Sequence, residues 1–161
     1  MNLHDSYPDR KRPAHQPIRD RPNASRIIFL TVCTDKRQSI LDRNAVHELL
    51  KTCWTQADSW LTGRYLLMPD HIHLFCSPVG INYPPLLKWV NYWKSLSARS
   101  WPNRTERKVW QRDFWDTQLR RGDSYTEKWR YVVNNPVRAG LVEESSQWPY
   151  QGQLNEFVWH A

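Results

Sequence analysis

The sequence predicts an α+β fold in which a single antiparallel sheet carries helices on one face. Two observations predict this class. Segments rich in β-branched and aromatic residues alternate with segments whose apolar residues recur at helical spacing. In addition, 40% of the 161 residues are apolar, which is enough for one globular domain with a substantial core.

The predicted strands are recognised by their β-branched and aromatic content. Three longer strands are residues 26–34, 60–68 and 71–77. The second and third form a hairpin, because Pro69 and Asp70 between them favour a turn. A short fourth strand is predicted near Val109 or at residues 118–120.

Helical spacing of apolar residues predicts two amphipathic helices, at residues 44–57 and 84–100. A third helix is predicted to begin at Ser124, because Ser124 and Glu127 have the spacing of a capping box. The resulting order is strand, helix, strand, strand, helix, strand. This is the order of a ferredoxin-like (RRM-like) sandwich, here followed by the third helix.

The chain divides into three predicted regions. Residues 1–25 contain four prolines and five arginine or lysine residues, and they are predicted to form a flexible basic arm. Residues 26–150 form the folded domain. Residues 151–161 form a C-terminal tail that either covers the functional site or packs on the sheet.

The charge balance indicates a polyanionic partner. A net charge of +7 together with 10 tryptophans favours nucleic acid, the alternative being a basic protein without such a partner. No apolar run reaches the ~18 residues of a membrane span, and the polar N-terminus is not typical of a signal peptide. Three scattered cysteines without a CxxC pair favour a reducing compartment, so we expect a cytoplasmic location.

Two histidines are predicted to share one face of the third strand. Alternate strand residues point to the same side, so His71 and His73 face one way while Ile72 and Leu74 face the core. Such a pair can bind one divalent ion, or it can be one hydrogen-bonded and one solvated histidine. An added oxygen ligand would favour Mg²⁺ or Mn²⁺, and a third histidine or a cysteine would favour zinc.

The third predicted helix has an apolar stripe that excludes one tyrosine. The stripe consists of Tyr125, Trp129, Val132 and Val133. Tyr131 lies about 120° from Tyr125 around the helix, and Asn135 follows Tyr131 one turn later. Pro136 is predicted to end the helix or to start a new one. Tyr131 can be a covalent nucleophile or an ordinary tyrosine at the edge of a helix.

Four segments between about residues 26 and 150 occur in an order that resembles a known family. The segments are TVCTDKRQSIL, LLMPDHIHLF, VWQRDFWD and YVVNNPVRAGLV. Together they resemble the REP-associated tyrosine transposases, which are single-tyrosine HUH transposases. The joint pattern carries the resemblance, since two histidines separated by one residue are common.

The resemblance implies a reaction and a set of residues. His71 and His73 would bind a divalent metal, Mg²⁺ or Mn²⁺, and Asn135 would complete the metal site. Tyr131 would cleave single-stranded DNA beside hairpins (REP-like repeats) and transfer the strand through a 5′-phosphotyrosine intermediate. Many relatives carry a histidine soon after WQRDFWD, where this chain has Thr117, which puts the role of that position in doubt.

The resemblance also implies partners and surroundings. We expect a monomer with the site formed in cis, the alternative being a domain-swapped dimer, and a location in the bacterial cytoplasm associated with the nucleoid. Basic residues near the predicted site are candidate phosphate contacts, although a solvated face is the default for each of them singly. They are Lys36, Arg37, Lys88, Lys94, Arg99, Arg112, Arg120, Arg121 and Arg138.

Four tryptophans can stack on unpaired bases, although large aromatic side chains more often pack in the core. They are Trp89, Trp93, Trp110 and Trp115. Two other functions stay open. One is a non-catalytic protein that binds or regulates DNA hairpins with the same fold, and the other is a metal-dependent hydrolase that uses water. A covalent DNA adduct on Tyr131 would exclude both.

Overall fold

The computed structural model describes His15, Pro17, Ile18 and residues 26–120 and 123–158. The strands are β1 (Ile28–Cys33), β2 (Trp60–Leu67), β3 (His71–Pro78), β4 (Trp115–Gln118) and β5 (Gln151–Gln153). The helices are α1 (Asn44–Gln56), α2 (Leu86–Arg99), α3 (Tyr125–Val133) and α4 (Asn135–Arg138). Within these residues, none of the helices combines the length and hydropathy of a membrane span.

The five strands form one antiparallel sheet with the order β4-β1-β3-β2-β5. The first four strands and the helices α1 and α2 therefore have the ferredoxin-like arrangement that the sequence predicts. The observed bounds of α1 and α2 agree with the predicted ranges to within two residues. The prediction of an α+β sandwich is confirmed.

Helices α1 and α2 cover one face of the sheet. Alternate residues of β1 and β3 point to this face, and they pack against tryptophans from both helices and from β2. The largest side chains of this layer are Trp54, Trp60, Trp89 and Trp93. Their burial stabilises the layer, and it makes Trp89 and Trp93 core residues that cannot stack on bases. Trp110 is buried in the same layer.

Helix α3 covers the opposite face of the sheet. Its buried residues Tyr125, Trp129 and Val132 pack with Phe29 of β1 and Phe75 of β3. The aromatic ring of Phe75 lies 4.8 Å from that of Tyr125 and 6.4 Å from that of Trp129. The sheet is therefore buried between two helical layers, with α1 and α2 on one side and α3 on the other.

The two edge strands differ from the sequence prediction. The fourth strand lies at Trp115–Gln118, between the two predicted positions, while Trp110 makes only an isolated bridge to Thr34. Strand β5 was not predicted, because its sequence QGQ lacks β-branched and aromatic residues. It forms because the edge of β2 offers unpaired main-chain groups, so this part of the tail packs on the sheet.

Three described residues belong to the predicted N-terminal arm. His15 Nδ1 lies 2.5 Å from Asp116 Oδ1, and the imidazole stacks on Phe114 with ring centroids 4.4 Å apart. Ile18 packs against the core beside α1 and α2. The arm is thus docked at these points, while its basic residues lie outside the described residues.

Candidate active site

The site is built on the middle of β3, where His71 and His73 point to the face covered by α3. The strand register pairs His73 with Thr31 of β1 and with Leu66 of β2. Ile72 belongs to the opposite layer, as the alternation of the strand predicts. Both histidines are buried, and their ring centroids lie 4.8 Å apart.

A charged network surrounds His71. Asp70 Oδ1 lies 2.7 Å from His71 Nδ1, and Arg37 Nε donates to Asp70 Oδ2 at 2.9 Å. Burial alone would raise the pKa of Asp70, but hydrogen bonds from His71 and Arg37 outweigh it and lower the pKa to about 2. Asp70 is therefore ionised at physiological pH.

His73 is the most deeply buried group of the site. Its Nδ1 lies 3.0 Å from Thr31 Oγ1, and its ring stacks on Phe29 with centroids 5.3 Å apart. Burial lowers the pKa of His73 well below 6.5, and the positive charges of Lys128, Arg138 and Arg37 lower it further, together with His71. The imidazole is therefore neutral, which is the form that binds metals.

The other ring nitrogen of His73 tests whether the site fits a metal. Within the described part of the chain, Nε2 of His73 has no hydrogen-bond partner although it is buried. A buried polar atom without a partner is costly, and a ligand at that atom would remove the cost. The described residues contain no cluster of three or more His, Cys, Asp or Glu side chains that could hold a metal. A third protein ligand would therefore have to be of another type, such as a side-chain amide.

Helix α3 is fixed over this face by contacts at its first two turns. Ser124 Oγ accepts a hydrogen bond from the Glu127 main-chain N–H at 3.2 Å, as predicted for the N-cap. Strand β2 carries a bulge after Thr62, and the main-chain N–H of Arg64 there donates to Tyr125 Oη at 3.2 Å. The bulge thus binds α3 directly to the sheet.

Tyr131 lies on the side of α3 that leaves the apolar stripe. Its side chain is 42% exposed, whereas Tyr125 is only 6% exposed. The guanidinium carbon of Arg138 lies 4.1 Å from the centroid of the Tyr131 ring. Lys128, one turn before Tyr131, places its ammonium 5.0 Å from the ring centroid of Phe29, which in turn stacks on His73. Lys128 therefore reaches the histidine face from α3, while Arg138 covers the ring of Tyr131.

Helix α3, which carries Tyr131, ends before Asn135. Asn134 ends α3, and α4 starts at Asn135 with Pro136 in its first turn. The side-chain amide of Asn134 donates to the Arg130 carbonyl at 2.7 Å, which satisfies a carbonyl at the end of α3. Pro136 therefore forces a new start, one of the two outcomes predicted. Asn135 is buried, and its Oδ1 accepts a hydrogen bond from Arg138 Nη2.

The candidate phosphate contacts fall into different places. Lys94 is buried, and its ammonium donates to the main-chain carbonyls of Gln111 and Arg112 at 2.8 and 3.3 Å. Its predicted phosphate contact is wrong, because the charge is held inside the protein. Lys88 is exposed on α2, so it lies on the layer opposite the histidines.

The other predicted contacts remain accessible or lie in the site. Lys36, Arg99, Arg112 and Arg120 are exposed, while Arg121 lies outside the described residues. Arg37 and Arg138 contact the histidine network and Asn135, as described above. Trp115 is half-buried and pairs with Thr31, on the face of the histidines. Thr117 is exposed on the same face, opposite Phe29.

Three residues of the site were not predicted as functional: Thr31, Asp70 and Lys128. Asp70 precedes His71 in the sequence, so its proximity could have been inferred, but a turn residue beside proline is usually explained by the turn itself. Thr31 and Lys128 reach the site only through the pairing of β1 with β3 and the packing of α3. No local pattern signals such contacts.

Comparisons with known proteins identify homologues. A Haemophilus influenzae protein, provisionally named a REP-associated tyrosine transposase, is 30% identical over 95 residues, which are 52% of this chain and 53% of that protein. The REP-associated tyrosine transposase of Escherichia coli is 24% identical over 87 residues, which are 53% of this chain and 50% of that protein. Both curated homologues are named as REP-associated tyrosine transposases. The predicted resemblance is thereby confirmed.

The match to these transposases has a defined extent. The matched region spans about half the length of each curated relative. No family model matches the chain. A solved REP-associated tyrosine transposase bound to a REP hairpin has the same fold, with a TM-score of 0.64 and 17% identity over 85% of this chain and 82% of that chain. This likeness supports the α+β architecture.

Proposed function

We propose that this protein is a DNA transposase that cleaves and rejoins single-stranded DNA beside hairpins, with Tyr131 as the nucleophile. The observation that carries the proposal is the placement of α3 over the histidine face of its own sheet. That face holds two buried histidines, one of which has a ring nitrogen without a hydrogen-bond partner in the described residues, and α3 is the helix that carries Tyr131. The names of the homologues support the same reaction class.

The residues suited to hold a metal are His71, His73 and Asn135. Two imidazoles and an amide oxygen are a mixed nitrogen and oxygen set, to which waters and a phosphate oxygen can be added. When bound, a divalent cation such as Mg²⁺ or Mn²⁺ would stabilise the negative charge that develops on the scissile phosphate. Asn135 would use the oxygen that here accepts a hydrogen bond from Arg138, since an amide oxygen has two lone pairs.

The proposed chemistry is a transesterification at phosphorus. A bond forms between Tyr131 Oη and phosphorus, and the bond from phosphorus to the 3′ oxygen breaks. The phenol loses its proton, and the departing 3′ oxygen gains one. The 5′-phosphotyrosine ester conserves the energy of the phosphodiester, so a 3′-hydroxyl can reverse the step and rejoin strands without ATP.

The chain offers a positively charged approach to this chemistry. Lys128 lies over the Phe29 ring that stacks on His73, Arg138 binds Asn135 and Arg37 binds Asp70. Their positive charges lower the pKa of His73. A focused positive potential attracts a polyanion. Because α3 packs on its own sheet, we propose that one chain supplies both the histidines and the tyrosine, although a dimer that exchanges helices would preserve the same contacts.

The partner proposed for this site is hairpin-containing DNA. The solved relative is bound to a REP hairpin, and we extend that ligand class to this chain as part of the proposal. Its place of action would then be wherever the DNA lies, in the bacterial cytoplasm at the nucleoid.

The test is replacement of Tyr131 by phenylalanine. We expect Tyr131→Phe to reduce the yield of the covalent adduct with a hairpin-carrying oligonucleotide by about 10³-fold or more, because the nucleophilic oxygen is lost. Hairpin binding and thermal stability should stay unchanged, since the side chain is 42% exposed. The adduct is measured on a denaturing gel with Mn²⁺ and, separately, with EDTA.

The matched control is Tyr92→Phe, which removes the hydroxyl of an exposed tyrosine on α2, in the opposite layer. Undiminished adduct formation by Tyr131→Phe would refute the assignment of the nucleophile, and cleavage that EDTA leaves intact would refute the metal dependence. A wild-type protein that binds the hairpin without any adduct would instead be a non-catalytic binder.

A further inference from the structure

The turn that follows β1 adopts an unusual backbone conformation. Lys36 and Arg37 both have positive φ angles, 52° and 54°, although neither is glycine. Such a conformation costs about 1–3 kcal/mol per residue and persists only where the surroundings impose it. The Thr34 hydroxyl oxygen lies 2.8 Å from the Gln38 carbonyl and 3.1 Å from the Asp70 carbonyl, so its single proton is shared between the two ends of this turn. Backbone strain of this kind is concentrated at functional sites.

The strained turn places Arg37 beside the carboxylate of Asp70, the residue that precedes His71. Arg37 Nε donates to Asp70 Oδ2 at 2.9 Å, while Asp70 Oδ1 lies 2.7 Å from His71 Nδ1. Each oxygen of Asp70 therefore has its own partner. A second anchor comes from the main chain, because the Asp70 carbonyl also accepts a hydrogen bond from the Thr34 N–H at 3.0 Å.

These contacts determine which nitrogen of His71 carries the proton. Arg37 donates to the other oxygen of the same carboxylate, so the 2.7 Å contact is a hydrogen bond from a proton on His71 Nδ1 to Asp70 Oδ1. Arg37 Nη2 also approaches His71 Nδ1, at 3.4 Å, but a guanidinium can only donate. The two contacts cannot both be hydrogen bonds, and the 2.7 Å contact to the opposite charge is the stronger one. Nε2 of His71 is thereby the ring nitrogen left for a ligand, and in the neutral ring it carries no proton.

His73 is held through the same ring nitrogen. Its Nδ1 contacts Thr31 Oγ1 at 3.0 Å, and its Nε2 has no partner in the described residues. Both imidazoles are thus held through Nδ1 and have Nε2 as the remaining nitrogen. A metal requires this from both rings, because only an unprotonated nitrogen can ligate.

We propose that Asp70 and Arg37 are positioning residues of the histidine pair: Asp70 fixes His71 with its proton on Nδ1, and Arg37, held in a strained turn, fixes Asp70. The inference rests on the proposed function, in which His71 is a metal ligand. In this proposal Arg37 supports the site by holding Asp70, and it is not a general phosphate contact. Carboxylates that hold ligating histidines in this way are worth about 10- to 100-fold in metal affinity or activity.

The first experiment reads the tautomer without metal or DNA. In the metal-free full-length chain, labelled with ¹⁵N, two-bond ¹H–¹⁵N correlation spectra should show His71 protonated on Nδ1 and unprotonated on Nε2. Asp70→Asn removes the charge, so we expect a mixture of tautomers. Asp58→Asn, an exposed aspartate in the connection between α1 and β2, is the matched control and should leave the spectrum of His71 unchanged.

The second experiment measures Mn²⁺ affinity by electron paramagnetic resonance on the same proteins. We expect Asp70→Asn to weaken binding by about 10- to 100-fold and Asp58→Asn to leave it unchanged. Arg37→Gln keeps one donor for Asp70, so it should weaken binding less, and it serves as the test if Asp70→Asn does not fold. A wild-type His71 protonated on Nε2, or variants with unchanged tautomer and affinity, would overturn the proposal.

The two proposals fail separately. A wild-type chain with the expected tautomer and Mn²⁺ binding but without a DNA adduct refutes the nucleophilic function and leaves the positioning role intact. An adduct in the wild type, with Asp70→Asn and Arg37→Gln indistinguishable from it in tautomer, Mn²⁺ affinity and cleavage, refutes the positioning role alone.

Discussion

His73 and Lys94 are two buried titratable side chains that differ in whether their polar atoms have partners. Lys94 donates to the carbonyls of Gln111 and Arg112, so its polar group is satisfied within the protein. His73 Nε2 has no such partner in the described residues, which makes it the atom where a ligand would gain most. Sequence patterns predicted the side on which His73 lies, but not the burial of Lys94, because lysine is rarely buried.

Burial of Lys94 predicts a specific dependence of stability on pH. Desolvation lowers its pKa from 10.5 to about 8, an effect that Asp113 partly offsets. Between about pH 8 and 10.5 the unfolded chain therefore holds more protons than the folded chain, so the free energy of unfolding rises with pH. Relative to Lys94→Met, the wild type should gain up to about 1.4 kcal/mol per pH unit in this window.

Urea unfolding of both proteins at pH 7, 8, 9 and 10 measures this difference, and titrations that the two proteins share cancel. Below about pH 8 the difference should be constant, because Lys94 is then protonated in both states. A difference that stays constant up to pH 10 would contradict the role assigned to burial.

At the scale of elements, the bulge in β2 contributes to the position of α3. The bulge turns both Gly63 and Arg64 towards α3, since Thr62 and Tyr65 pair with residues of the opposite layer. Arg64 binds Tyr125 through its N–H, and its guanidinium carbon lies 5.5 Å from the centroid of the Trp129 ring. The bulge, a local irregularity of β2, thus contributes to the position of α3.

Gly63→Ala should destabilise the protein by about 1–3 kcal/mol, because the added methyl overpacks this contact. A Cβ at Gly63 would lie 2.5 Å from the Phe157 ring and 2.9 Å from Tyr125 Oη. Urea unfolding measures the loss. Repeating the substitution in a Phe157→Ala background separates the two clashes: the cost should fall there but not vanish, because Tyr125 remains. An unchanged stability of Gly63→Ala alone would contradict the packing described for α3.

At the scale of the whole molecule, the sheet separates two helical layers with different residues. One layer contains α1 and α2 and most of the buried tryptophans. The other contains α3, the histidines and the converging charges of Arg37, Lys128 and Arg138. The net charge of +7 alone indicates a polyanionic partner, whereas the layers indicate where it would bind.

This division predicts that lysines on the two layers contribute differently to DNA binding. Lys128→Ala should weaken binding of a hairpin oligonucleotide and reduce the slope of log affinity against log salt concentration by about one, as loss of a phosphate contact does. Lys88→Ala removes an equally exposed lysine from α2 and should change neither quantity. Fluorescence anisotropy at several salt concentrations measures both. Equal effects of the two substitutions would contradict the assignment of the DNA to the α3 layer.

The sequence by itself determined the order of the elements, the common side of His71 and His73, and the position of Tyr131 outside the apolar stripe of its helix. Each follows from a local periodicity, two residues for a strand and 3.6 for a helix, that neighbouring residues impose on one another. The roles assigned to these residues stay predictions.

Only the tertiary structure decided which surfaces meet. It placed α3 over the histidine face, brought Arg37 to Asp70, put Lys94 inside and added β5 to the edge of β2. These contacts join segments that are far apart in the chain, and their geometry depends on how whole layers pack. A repeating pattern of neighbouring residues carries no information on such packing. The candidate residues could therefore be predicted one by one from the sequence, whereas their arrangement depends on the fold.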